Sequence, residues 1–195
     1  MAESSPIIAD NPTLSSPSTL AFEYKAFISY SHAADGMLAP SLQVALHRFA
    51  KPWNRLRAMR VFRDETSLAL TPELWPSIQK ALEESEYFLL MASPKAAESK
   101  WVQKEIEWWL THRSCKTLFL LVTEGTLRWN DDIGDFDPTE RTALPSNLIG
   151  KFTNEPKYVD LRWAMNVDNL TLSHSRFRAA VLDIAPPLIG RPKDE

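Results

Sequence analysis

The chain alternates short, continuously apolar runs with longer segments whose apolar residues recur at helical spacing, and that alternation constrains its fold more than any other feature. Residues 25–30 (KAFISY), 58–62 (AMRVF), 87–92 (YFLLMA), 117–122 (TLFLLV) and 157–161 (KYVDL) have the length and composition of strands. Several lack any polar alternation, the pattern of strands covered on both faces. Between the first two, Leu42, Ala45, Leu46 and Phe49 form one helical stripe that Pro52 ends. The next helix opens with Thr71 as N-cap, Pro72 at its first position and Glu73 in its first turn, and buries Trp75, Ile78 and Leu82. A third helix is expected over 98–112, and a last one carries Phe177, Val181 and Ile184. Four or five such β-α units with right-handed crossovers make an open, parallel α/β sheet, whose functional crevice lies at the carboxyl ends of the strands.

Composition narrows the partners. At 195 residues the chain suits one core. Residues 1–21, rich in Ser and Pro, read as a flexible leader, 22–187 as the domain, and 188–195, ending GRPKDE, as a linker-like tail. A net charge of -3 and the lack of a basic stripe argue against nucleic acid. Cys115 is the only cysteine and the four histidines are scattered, which argues against a disulfide or a zinc site and for a reducing cytoplasm. The N-terminus has no targeting pattern, and no apolar run approaches the roughly 20 residues that span a bilayer. The expectation is a soluble cytoplasmic protein without a membrane partner.

Several activities common on such sheets lack their residues. The turn after the first strand is Ser29-Tyr30-Ser31-His32-Ala33, not a glycine-rich dinucleotide turn, and the chain holds only five Gly. No Gly-Lys-Ser/Thr run exists for a phosphate loop, and no Gly-x-Ser-x-Gly elbow for a serine hydrolase. No acidic pair follows the first strand to hold Mg2+, so Asp64 is not read as a phosphoacceptor.

Three segments remain: FISYSH at 27–32, RVFRDETSL at 60–68 and ASPKAAESKWVQKEI at 92–106. Together and in this order they resemble the three sequence boxes of the TIR (Toll/interleukin-1 receptor) domain family of bacterial type: a first strand ending in Ser-Tyr, a loop after the second strand, and Ser-Pro followed by Trp-x-x-x-Glu. The resemblance covers residues 23–184. It implies a flavodoxin-like three-layer α/β sandwich around a five-stranded parallel sheet in the order 2-1-3-4-5.

It also implies two possible outputs. Many TIR domains cleave NAD+ to nicotinamide and ADP-ribose or a cyclic form, as defence effectors activated by self-association, while others are assembly scaffolds. A nucleoside deoxyribosyltransferase-like enzyme acting on other N-glycosides is a third alternative. In the enzymatic members the carboxylate of Trp-x-x-x-Glu is catalytic; here it is Glu105, with Trp101 as its partner. Residues four apart share a helix face, so both are expected to line one crevice, with Val102, Ile106 and Trp109 on the adjoining core face. A fixed anion stabilises the positive charge that builds on the ribose as nicotinamide leaves, and no cofactor or metal is required, NAD+ being the substrate. Spacing alone favours reading Glu105 as a solvated helix residue, and Trp101 could equally be a packing residue; the family resemblance reverses the reading of Glu105. Phe27, Ser29, Tyr30, Ser31, His32 and Leu68 match family positions bordering the substrate, although Phe27 and Tyr30 also suit a core. Arg63 has the planar fork that pairs with phosphate, and equally has Asp64 and Glu65 as surface partners.

In the family, the loop at 64–71 regulates and contacts other copies. Here it ends Leu70-Thr71-Pro72 rather than with Gly, which restricts its backbone. A long insert at 125–145 departs from ordinary connection lengths. A fused or separate sensor module is expected as a partner.

Overall fold

The computed structural model describes residues 22–49, 59–63 and 74–189. The leader, Pro52, the 64–71 loop with Leu68, the helix-start residues Thr71, Pro72 and Glu73, and the tail from 190 lie outside the described residues. In chain order the elements are β1 (Tyr24–Ser29), α1 (His32–Asp35), α2 (Leu38–Phe49), β2 (Val61–Arg63), α3 (Leu74–Glu83), β3 (Ser85–Ala92), α4 (Pro94–Glu98), α5 (Lys100–His112) and β4 (Leu118–Val122). A two-stranded ribbon, β5 (Trp129–Asn130) and β6 (Asp135–Phe136), precedes β7 (Tyr158–Asp160) and α6 (Ser175–Ile189). The main sheet is wholly parallel in the order β2-β1-β3-β4-β7, the expected topology with β7 as its fifth strand.

Register builds the core. Phe27 stands opposite Phe62 on one neighbour and Phe88 on the other, so three rings stack across the sheet at centroid distances of 5.4 and 5.7 Å. Trp109 of α5 closes on Phe88 at 5.4 Å, and Ile78 and Leu82 of α3 complete this layer. On the opposite face Ala26, Ile28, Leu89 and Met91 pack against Leu42 and Leu46 of α2 and Phe177, Val181 and Leu188 of α6. The sheet therefore lies between two helical layers, as apolar strands require. At its edge, Gln43 and His47 of α2 meet the outward backbone groups of Val61, which occupies polar atoms that an edge strand would otherwise leave open.

Local chemistry moved several boundaries. Of the second strand expected over 58–62, the described residues pair over Val61–Arg63, with Ala26, Phe27 and Ile28 as partners, and residue 58 lies outside the described residues. The single helix expected over 98–112 is two: Ser93 caps α4, with Pro94 at its start, and Ser99 caps α5 by accepting from the Val102 amide. Trp75 is half-buried rather than core, lying against Trp101 with ring centroids 6.3 Å apart. The insert is a wall of the core: Leu127, Phe136, Ala143 and Leu144 are buried with the α5 face, and the ribbon and a 3-10 turn at Ser146–Leu148 stand where a crossover helix would be.

Phe88→Ala should remove about 3–5 kcal/mol of stability, since the ring fills the centre of one layer; urea unfolding measures it. In the insert, Asp137 accepts from the Thr139 hydroxyl and amide and from Arg128, and these bonds hold its carboxyl at about 2 against an ordinary 3.8. A depressed carboxyl adds stability above its unfolded value and loses it as pH falls through its folded one. Asp137→Asn should therefore flatten the decline in melting temperature between about pH 4 and pH 2.

Candidate functional site

The carboxyl end of β1 carries the densest polar chemistry. Glu105, midway along α5, is only 1% exposed, and its Oε2 accepts a hydrogen bond of 2.5 Å from the Ser29 hydroxyl at the last residue of β1. The flanking apolar residues Val102, Ile106 and Trp109 dock α5 on the sheet, so the helix carries this carboxylate inward with its core face. A short O–H to carboxylate bond is a strong one, and it fixes an acid where the crossover rule places a functional crevice.

Beside this pair, Arg63 at the end of β2 donates from Nη1 to the Tyr30 hydroxyl at 2.8 Å and from Nε to Gln43 at 3.1 Å. The same Tyr30 hydroxyl lies 3.3 Å from His32 Nδ1. Tyr30 and Ser31 are largely buried, and His32 and Arg63 half-buried. Arg63 thus pairs with a phenol and an amide in the turn region. Phe27, in contrast, is fully enclosed between Phe62 and Phe88, so its role is core packing. Leu68 lies outside the described residues.

Trp101 sits elsewhere than helical spacing suggests. It is 43% exposed, at the rim, with the Lys104 ammonium 5.5 Å from its ring and 3.9 Å from that of Trp75. Glu105 points to the sheet while Trp101, one turn earlier, lies over α3. The spacing correctly put both on α5; the inward docking of the helix separated their exposures.

A second buried acid gives no sequence signal. Asp35, in a polar turn, reads as a solvated residue, yet it is fully buried beside Ser93 and Thr123 at the ends of β3 and β4. A groove of about 960 Å³ lies along β4 and β7, lined among others by Phe119, Val159, Arg176 and Ile184. It contains none of the residues of the β1 cluster, so size alone does not locate the site. Among the described residues no group of three or more His, Cys, Asp and Glu is arranged to hold a metal, and no helix is long and apolar enough to cross a membrane.

The TIR domain family model matches residues 26–163. The chain is 50% identical over 172 residues to a protein named NAD(+) hydrolase ApTIR from Actinoplanes sp., covering 88% of this chain and 24% of that protein. It is 31% identical over 86 residues to NAD(+) hydrolase TcpA from a Theionarchaea archaeon, covering 44% of this chain and 24% of that protein. The chain spans about a quarter of the length of these curated relatives. The three motifs, the doubly wound sheet and the extent of the family match agree: this chain belongs to the TIR domain family.

Proposed function

We propose that this domain hydrolyses NAD+ at the bond between nicotinamide and ribose, with Glu105 as the catalytic anion. The observation that carries this reading is the buried Glu105 carboxylate held by Ser29 at the carboxyl end of the central strand. The names of the two NAD(+) hydrolases it resembles support the substrate.

The chemistry needs little more than that anion. As the ribosyl carbon–nitrogen bond breaks, its electron pair goes to the pyridinium nitrogen and nicotinamide leaves neutral. Positive charge shifts to the ribosyl carbon and ring oxygen. A carboxylate already fixed by a hydroxyl stabilises that charge without reorganising, which lowers the barrier more than it tightens ground-state binding. Water then attacks the ribosyl carbon and loses a proton, giving ADP-ribose; internal attack by the adenine would give a cyclic product instead. The Tyr30–Arg63–His32 cluster supplies the polar wall beside the bond, with the guanidinium suited to the pyrophosphate. Trp101 and Trp75 at the rim offer an aromatic face. In this reading the domain works in the cytoplasm as a defence effector, and self-association through the loop at 64–71, triggered by a sensor module, brings the site to full activity.

Nicotinamide release from NAD+ by concentrated wild-type protein beside Glu105→Gln tests the proposal. The variant is expected to lose about 100-fold or more in kcat while retaining a native circular dichroism spectrum. A folded wild type that releases no nicotinamide even when clustered would replace this reading with assembly without chemistry. Cleavage of ordinary nucleosides in preference to NAD+ would point instead to a different N-glycoside. Ser29→Ala should cost about 1–3 kcal/mol in urea unfolding by removing a donor from a buried carboxylate. Combined with Glu105→Gln it should cost less than the sum, a coupling read from the double-mutant cycle.

A further inference from the structure

Asp35 is an acid that the reaction above leaves unused. It closes α1, the single turn after β1, and is fully buried. Its amide donates to the Ser31 carbonyl at 2.7 Å. Its carboxyl faces the hydroxyls of Thr123 and Ser93 and the backbone of Ser31, with the Glu124 carboxylate as the nearby charge. Ser93 follows β3 and caps α4, and Thr123 follows β4 and donates to the Ala92 carbonyl at 3.3 Å. One carboxyl group therefore meets the ends of three adjacent strands. Neither of its oxygens reaches full hydrogen-bond geometry with a described residue, and no described cation pairs with it.

A buried carboxylate without a cation lowers stability, and here burial, opposed by the hydroxyls and the Ser31 backbone, pushes the group from an ordinary 3.8 up to about 6. Asn has the same shape and would avoid that cost. It would also present an NH2 donor where the carboxylate presents its second acceptor oxygen, which reverses the polarity facing the strand ends. A buried acid held at a cost in local stability points to a functional demand. The demand lies close at hand, because the turn that Asp35 anchors presents Ser31 and His32 immediately after Ser29, the partner of Glu105.

We propose that Asp35 is a positioning residue for the cleavage assigned above, its buried carboxyl packed between the turn after β1 and the ends of β3 and β4 so that this turn, and with it the adjoining Ser29–Glu105 pair, is held in place against the ribosyl carbon. This rests on the NAD+ reading.

The test compares wild type, Asp35→Asn and Asp35→Ala in nicotinamide release and in melting temperature at about pH 5 and about pH 7.5. A carboxyl whose folded value is raised contributes stability at low pH that is lost as pH climbs from its unfolded to its folded value. Asp35→Asn is therefore expected to melt no lower than wild type at the higher pH, with a smaller advantage at the lower one. Its kcat should fall about tenfold or more with KM within about threefold, and Asp35→Ala should fall further. Asp35→Asn turning over within about twofold of wild type overturns the inference while the NAD+ reading stands. Melting temperature and rate falling together in Asp35→Asn also overturns it, since the residue is then an ordinary structural one. A wild type without turnover overturns the NAD+ reading, and this inference with it.

Discussion

The rest of the structure depends on the burial of three parallel strands on both faces over most of their length. From Ala26 to the end of β1, and through most of β3 and β4, the side chains on both faces are shielded from water. Such strands cannot exist at a surface, so each must be covered by helices above and below, and parallel pairing forces every connection to cross from one end of the sheet to the other. All the turns that follow strands therefore collect at one end. The Phe62–Phe27–Phe88–Trp109 stack sets how closely α5 approaches the sheet, and that approach carries Glu105 to Ser29.

The polar features at that end are held at a cost that the apolar layers offset. Burial disfavours a carboxylate strongly unless hydrogen bonds or charges compensate it. Glu105 has the Ser29 hydroxyl, and among the described residues Asp35 faces hydroxyls, a backbone amide and another acid. Two buried acids at the ends of neighbouring strands would be a defect in a purely structural domain. For the proposed NAD+ cleavage they make physical sense, because a low-dielectric wall strengthens the field of a fixed anion facing a ribosyl cation. The opposite treatment of Asp137, held by Arg128 and by the amide and hydroxyl of Thr139 in the insert, shows the ordinary structural use of an acid in the same chain.

The insert after β4 changes one helical layer without changing the sheet. Its ribbon and 3-10 turn bury Phe136, Leu144 and Leu148 against α5 where a crossover helix would otherwise lie. The helix that bears Glu105 is thereby packed by a wall as well as by the sheet, while its first turn, with Trp101, stays at the rim beside Trp75 and Lys104.

The sequence by itself determined the architecture and the motif. Continuous apolar runs and helical stripes are local patterns, set by how neighbouring residues point, so the alternation of strands and helices and the placement of Trp101 and Glu105 on one helix could be read directly, whereas the strand order came with the family resemblance. The boundary serines at 93 and 99 were also legible in principle, since capping is local, though the split into α4 and α5 depends on both caps being used. Only the tertiary structure decided which polar residues are buried. Ser29 meeting Glu105 joins residues 76 apart, and Phe27 entering a core stack rather than the crevice follows from strand register. Asp35 looks like any acid in a polar turn until the ends of β3 and β4 close over it. Desolvation is set by what the rest of the chain packs around a group, and no local spacing records it.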